Sequence, residues 1–273
     1  MYKYKLIACD LDGTLLGSDL KLSELNKKAI STLTKKGIYF VPTTGRTLSE
    51  MKEVVDFHDV RYIIYSNGVA FMDKNTGEKK VIALKKETLK TLLEKLETFD
   101  CYIVFHCDGK SYVNSKSQES FDCYNVSYNV QELVKDCAEV KEDIISWACS
   151  EEKIECACVF FKNEQDMREC KNHIAKLDDL LVVDSFACNI EIFSKNAGKG
   201  NMLKRLAEYL DIDLKNIMTV GDSDNDSSMT QISGLGLATS NACENLKNVA
   251  DEIICSNDEH VADYILNKYF QNK

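Results

Sequence analysis

No stretch constrains this chain more than Leu6 to Leu15, LIACDLDGTL. A short apolar run climbs to Asp10, a second acid follows at Asp12, and Gly13 then lets the backbone turn before Thr14. An apolar run this short, bounded by a turn residue, predicts a strand buried inside a sheet. Its C-terminal end sets two carboxylates on the edge where an open α/β sheet binds its ligands. Two acids that close repel each other unless a cation sits between them or one takes a proton. Asp10 is therefore a candidate metal-bound nucleophile and Asp12 a candidate general acid. The plainer reading is a strand followed by a surface Asp-Gly turn.

The pattern around this stretch alternates strand and helix. A strand over 5–9 is followed by a helix from Leu22 to Lys36, capped at Ser23 and stopped by Gly37. Ile38 to Val41 predicts a strand, Leu48 to Phe57 a helix, and Arg61 to Tyr65 a third strand running into Ser66-Asn67-Gly68. Such alternation predicts a doubly wound parallel sheet. The texture changes after residue 81. A helix over Glu87 to Phe99 precedes a strand over Cys101 to Cys107, with a hairpin turn at Asp108-Gly109 before Ser111 to Asn114. Residues 115–150 carry no clear period beyond a helix near Gln131 to Cys137. Strands over Ile154 to Phe161, Leu180 to Asp184 and Cys188 to Phe193, with a helix over Glu164 to Leu177, complete an α+β insertion with two or three helices. The first texture then returns, with a helix over Lys199 to Leu210 and strands at Ile217 to Val220, Gly236 to Ala238 and Glu252 to Cys255. The expected organisation is a core in two parts, 1–81 and 191–273, interrupted by an inserted domain over 82–190.

Four polar clusters sit at or near core strand ends: Asp10/Asp12, Thr44/Gly45, Asn67/Gly68 and Asp222 to Asp226. Their convergence on one edge of a parallel sheet says more than any one of them. Asp222-Ser223-Asp224-Asn225-Asp226 alternates acids as a calcium loop does. However, the sixth position is Ser227 rather than Gly and the twelfth is Ser233 rather than Glu. A magnesium site joining Asp222 to Asp10 fits better, and Asp224 or Asn225 can cap the helix that follows. Thr44-Gly45-Arg46 offers a hydroxyl and backbone N–H groups to a phosphate oxygen. Gly198-Lys199-Gly200 puts a cation at a helix start, where an anion would sit. It is not a Walker loop, since Phe193 replaces the upstream Gly and Gly200, ahead of Asn201, stands in place of the Ser or Thr.

Composition narrows the function. A net charge of −10 argues against a nucleic-acid partner. No apolar run approaches the roughly 18 residues of a membrane span, and Asp10 interrupts the N-terminal apolar stretch too early for an export signal. The expected location is cytoplasmic, so the 12 cysteines are not read as a disulfide framework. Cys156 and Cys158 share one face of their strand, and a dry core face is favoured over a zinc pair. The histidines, 58, 106, 173 and 260, form no metal spacing along the chain.

DLDGTLL at 10–16, TTGR at 43–46, SNG at 66–68, Lys199 and GDSDND at 221–226 occur in the order and spacing of the haloacid dehalogenase-like hydrolases. Over its whole length the chain resembles the Cof-type (subfamily IIB) phosphatases. The resemblance implies a Rossmann-like core with an α/β cap and an aspartyl-phosphate mechanism. By position, Asp10 would be the nucleophile, and Asp12 would protonate the leaving group, then deprotonate water. Leu11 through its backbone N–H, with Thr44, Gly45, Lys199 and Asn225, would hold the phosphoryl group. Mg2+ would be held by Asp10, Asp222 and the backbone carbonyl of Asp12, with Asp226 and Asn67 in support.

Three positions depart from the family pattern: Thr43 where Ala is frequent, Thr239-Ser240 in place of Met-Gly, and His260 where Gly-Val is common. None touches the acids or Lys199. The expected activity is hydrolysis of small phosphorylated metabolites, sugar phosphates or a phosphorylated cofactor, by a monomer or weak homodimer without nucleic-acid or membrane partners. The alternatives are a phosphomutase using the same aspartyl-phosphate and a non-catalytic binding protein. The insertion would sort substrates, with His106, Asp108 and Tyr112 as candidate contacts.

Overall fold

The strand expected before Asp10 runs over Leu6–Cys9 (β1) and is wholly buried in the computed structural model, which describes residues 2–52, 58–186 and 188–271. After β1, the helix Glu24–Lys35 (α1) starts at Ser23, whose side chain accepts from the Asn26 N–H. The strand Tyr39–Pro42 (β2) then pairs with β1 in parallel. Such a pairing needs a crossover, and α1 supplies it. Tyr62–Tyr65 (β3) follows and touches the end of β2 through a parallel bridge between Thr43 and Ile64.

The chain then departs from the expected pattern. Ala70–Asp73 (β4) pairs antiparallel with β3, and Glu78–Val81 (β5) lies beside β4. The Asn75-Thr76-Gly77 turn signals this hairpin, with Gly77 at φ +73. The helix expected over Leu48 to Phe57 begins as a single turn over Leu48–Glu50. Its part over 53–57 lies outside the described residues.

The chain divides into two compact units: Met1–Arg46, Met51–Lys80 and Gly198–Lys273 form one, and Thr47–Glu50 with Val81–Ala197 the other. The expected crossing at 190/191 falls within a strand, Asn189–Ser194, and the units part at 197/198.

The second unit has more helices than expected. These are Lys86–Leu96 (α2), Gln118–Cys123 (α3), Tyr128–Cys137 (α4), Ile144–Ser150 (α5) and Glu164–Ile174 (α6). Its strands are Cys101–Cys107 (β6), Lys110–Val113 (β7), Glu139–Val140 (β8), Ile154–Phe161 (β9), Leu180–Phe186 (β10) and Asn189–Ser194 (β11). They form a sheet in the order β10-β11-β9-β6-β7-β8. Asp108 and Gly109 join β6 to β7 with φ values of 52° and 76°. Positive φ at both central residues is what a type I′ two-residue hairpin turn needs. Leu89, Leu92 and Leu93 of α2 with Cys170 and Ile174 of α6 pack on one face of this sheet, against Ile103, Phe105, Val159 and Ile192.

The first unit is completed by Lys199–Tyr209 (α7), Ile217–Gly221 (β12), Ser227–Thr230 (α8), Leu235–Ala238 (β13), Glu244–Val249 (α9), Glu252–Ile253 (β14) and Val261–Tyr269 (α10). Its main sheet is parallel throughout, in the order β14-β13-β12-β1-β2. Asn26, buried on α1, ties the loop after β1 in place: its Nδ2 donates to the Leu15 carbonyl at 2.9 Å and its Oδ1 accepts from the Ala262 N–H at 3.0 Å. No described helix is long and apolar enough to cross a membrane.

Candidate active site

Asp10 is the first residue past β1, and Asp222 the first past β12. These two strands are neighbours, yet the chain builds outward from them in opposite directions, to β2 on one side and to β13 and β14 on the other. That reversal is the switch point at which open α/β sheets bind ligands.

Lys199 opens α7 and is only 1% exposed. Its Nζ donates to Asp10 Oδ1 at 2.7 Å and to Asp226 Oδ1 at 2.6 Å. The other oxygen of the buried Asp226 accepts from the backbone N–H groups of Asp222 and Ser223, at 3.0 and 3.1 Å. The helical turn here is capped by Ser223 paired with Asp226, not by the expected Asp224 or Asn225. Asp222 Oδ1 accepts from the Thr14 hydroxyl at 2.9 Å. Gly13, at φ +74, passes so near that a Cβ there would lie 2.5 Å from Asp222 Oδ2. Only glycine fits both the turn and the approach.

Asp10, Asp222 and Asp226 each bring a carboxylate oxygen within 4.8 Å of the others'. Asp10 and Asp226 thus share one buried cation, with Asp222 beside them. Burial raises the Asp10 carboxyl well above the ordinary value; Lys199 pulls it down, and Asp226 and Asp222 push it up again. Burial, then Asp226, raises Asp222. Burial alone would lower Lys199, but Asp10 and Asp226 outweigh it and hold the ammonium above its ordinary range. These directions describe a site short of positive charge. A further cation near Asp10 and Asp222 would favour both as carboxylates. All the donors are hard oxygens, which suits a hard divalent ion.

A second group of expected residues lies in the same unit. The Thr44 hydroxyl accepts from the Arg46 N–H at 3.1 Å, and the Thr44 carbonyl accepts from the Asn67 N–H at 2.9 Å. Asn67 takes φ 53 and accepts on Oδ1 from Asn225 Nδ2 at 3.0 Å. A Cβ on Gly45 would sit 3.1 Å from that same oxygen. Thr44, Gly45, Asn67 and Asn225 are therefore contiguous, and Leu11 follows Asp10 with its side chain buried. A close approach fixes this group to the start of α7. A Cβ at Gly68, which takes φ +78, would lie 2.3 Å from the Gly198 carbonyl carbon.

Asp12 has different company. Its carboxylate, 44% exposed, accepts from Arg46 Nε at 2.8 Å and also from Arg46 Nη2. Arg46, Thr14 and Asn241, whose Nδ2 donates to the Gly13 carbonyl at 2.8 Å, had no side-chain role in the sequence reading. Thr14 meets an acid 208 positions away, a distance no local pattern spans. Of the candidate contacts in the insertion, Asp108 serves the hairpin turn, and Tyr112 packs on Trp147 with ring centroids 4.2 Å apart. Tyr112 pairs with Phe105, on the helix-covered face of the sheet, while His106 points to the other. The two do not share a face.

A family model of haloacid dehalogenase-like hydrolases matches residues 7–265. The chain belongs to the haloacid dehalogenase-like hydrolases, in their Cof-type branch. It is 34% identical to a putative phosphatase of Buchnera aphidicola, over 98% of this chain and 99% of that one. It is 29% identical to the 5-amino-6-(5-phospho-D-ribitylamino)uracil phosphatase YcsE of Bacillus subtilis, over 93% and 91%. A haloacid dehalogenase-like hydrolase of B. subtilis superposes with a TM-score of 0.83 at 27% identity, over 97% of this chain and 99% of the other. The chain is accordingly a hydrolase of the phosphatase kind. The family generally uses a divalent metal, and the Asp10, Asp222 and Asp226 cluster can bind one.

Proposed function

We propose that this chain is a cytoplasmic, Mg2+-dependent phosphatase of small phosphorylated metabolites, such as sugar phosphates or a phosphorylated cofactor, acting through an aspartyl-phosphate on Asp10. The observation that carries the reading is Lys199 Nζ held between Asp10 and Asp226, with Asp222 converging on the same point. The relative YcsE, named as a phosphatase of a phosphorylated ribityl compound, supports a small phosphate monoester as substrate.

In this reading an Asp10 carboxylate oxygen attacks phosphorus, and the bond from phosphorus to the ester oxygen breaks. Asp12 gives that oxygen its proton. Water then attacks the phosphorus of the aspartyl-phosphate, Asp12 takes the water's proton, and Asp10 and inorganic phosphate are released. Lys199 favours the ionised form of Asp10 and offsets charge on the transferring oxygens. Thr44, the backbone of Gly45 and Leu11, and Asn225 hold the phosphoryl group, with Asn67 orienting Asn225. Asp10, Asp222 and the Asp12 carbonyl would hold Mg2+, which when bound neutralises the substrate phosphate and the excess acid. Asp226 keeps Lys199 in place. The phosphomutase and non-catalytic alternatives gain nothing from relatives named as phosphatases.

The test is phosphate release over a panel of phosphorylated metabolites with no bisphosphate added. Chelation abolishes release, Mg2+ restores it and Ca2+ does not, since calcium prefers more ligands in looser geometry. Asp10→Asn folds and loses nearly all turnover. Full activity in excess chelator, or an Asn variant keeping a tenth of wild-type kcat, refutes the reading.

A further inference from the structure

The second unit carries a cluster that the phosphatase chemistry does not use. Cys156 and Cys158 stand on the same face of β9, with their sulfurs 3.8 Å apart. His106, directly opposite Cys156 on β6, brings Nε2 to 3.8 Å from Cys158 Sγ. One donor atom from each of the three lies within 4.8 Å of the others. Both thiols are nearly inaccessible, at 3% and 7% exposure. The cluster faces away from the helices that cover the other side of the sheet.

We propose that His106, Cys156 and Cys158 form a binding site for a thiophilic metal ion, Zn2+, that ties β6 to β9.

Three observations favour an ion over a dry apolar face. The first is spacing: two thiolates at about 2.3 Å from a tetrahedral Zn2+ stand about 3.8 Å apart, and the sulfurs already have that separation. The second is the imidazole. His106 Nδ1 is buried and finds no hydrogen-bond partner among the described residues, and Nε2 meets only sulfur, a weak partner. A buried ring nitrogen left without a partner is unfavourable, which an apolar packing role does not explain. The third is charge: two thiolates and Zn2+ sum to zero, so the filled site suits burial. Water can complete the shell.

A disulfide is the poorer use of these sulfurs. Alternate residues of a strand lie about 6.6 Å apart, at the outer limit for bridging. Without an ion the thiols stay protonated: the hydrogen bond with Cys156, then burial, holds the Cys158 thiol well above its ordinary range. Binding therefore releases protons. Ligand softness separates this site from the acid cluster of the first unit, which offers only oxygen.

The test uses the full chain, reduced with a non-thiol reductant under anaerobic conditions and held in excess Mg2+. It is titrated with Co2+ as a spectroscopic probe and then with Zn2+. The expected result is one equivalent bound, a sulfur-to-cobalt charge-transfer band, its loss on Zn2+ addition, and proton release. Cys156→Ser and Cys158→Ser each weaken Zn2+ binding by at least about a hundredfold, since losing a second-shell partner alone costs 10–100-fold. Both keep Mg2+-dependent phosphatase turnover, and the exposed Cys123→Ser changes nothing. The charge-transfer band is read on the unmutated protein, so it decides the matter even if a variant misfolds. Absence of that band, or Zn2+ binding unchanged in both cysteine variants, overturns the proposal.

Discussion

Asp10 and Asp12 stand two residues apart and meet opposite surroundings. Asp10 is buried among other acids with Lys199 as a hydrogen-bonded cation; burial raises its carboxyl and Lys199 pulls it down, so a further cation would favour the carboxylate a nucleophile needs. Asp12 is half exposed, and the Arg46 guanidinium holds its carboxylate by two donors. A half-exposed carboxylate suits a group that must exchange protons with substrate and water in turn. We expect Asp12→Asn to cost about 10²–10⁴-fold in kcat on alkyl phosphates, the usual worth of general acid catalysis. Aryl phosphates, whose leaving oxygen needs little protonation, lose much less. Steady-state kinetics on matched alkyl and aryl substrates checks this, and equal losses would remove Asp12 from the role. The sequence announced both acids but not Arg46, because nothing in the spacing of TTGR says where a long side chain ends. His260 was flagged as a departure from Gly, and its φ of 62 is in the left-handed region that glycine takes most easily.

Elements were legible where local chemistry decides them. Ser23 starts α1, Asp108-Gly109 closes the β6–β7 hairpin, an unbroken apolar run marks β1, and a run broken only by Thr219 marks β12. Within 115–150 only the helix near Gln131 to Cys137 was legible, and it runs over Tyr128–Cys137; Gln118–Cys123 and Ile144–Ser150 are too short to show a period. The β4 strand was missed because it packs by pairing with β3 rather than by its own pattern. It has its own electrostatic anchor: buried Asp73 accepts from Arg61 Nε at 3.1 Å and Nη2 at 2.9 Å. Those bonds, before any other cause, hold the Asp73 carboxyl below its ordinary value. A lowered folded pKa contributes stability above the unfolded Asp value of about 3.9, and that contribution disappears as pH falls through the folded value. Arg61→Met should therefore destabilise by about 2 kcal/mol at neutral pH, the cost of a charged group left short of partners. The difference from wild type should shrink below about pH 4. Urea unfolding at pH 7 and near pH 3 tests this, and a pH-independent difference contradicts it.

For the whole chain, the sequence announced an interrupted core because the same strand-end chemistry appears at both ends with a different texture between. It could not announce which distant side chains meet. Lys199 reaches Asp10 across 189 positions, and His106 reaches Cys158 across 52. Both meetings are products of strand order, which follows from packing and not from any local run. The phosphatase account places all its chemistry in the first unit and leaves substrate choice to the second. Substitutions of polar residues in the second unit should change kcat/KM unevenly across a substrate panel and leave the Mg2+ requirement intact. Uniform losses would make that unit a structural element only. The central claim is the phosphoryl group on Asp10, and trapping it is the most direct measurement. Enzyme turning over a reactive phosphate monoester is quenched in acid, reduced with borohydride and mapped by peptide mass spectrometry. The account predicts that residue 10, and no other acid, is converted to homoserine. Turnover with the label on another residue, or with none anywhere in the chain, would contradict it.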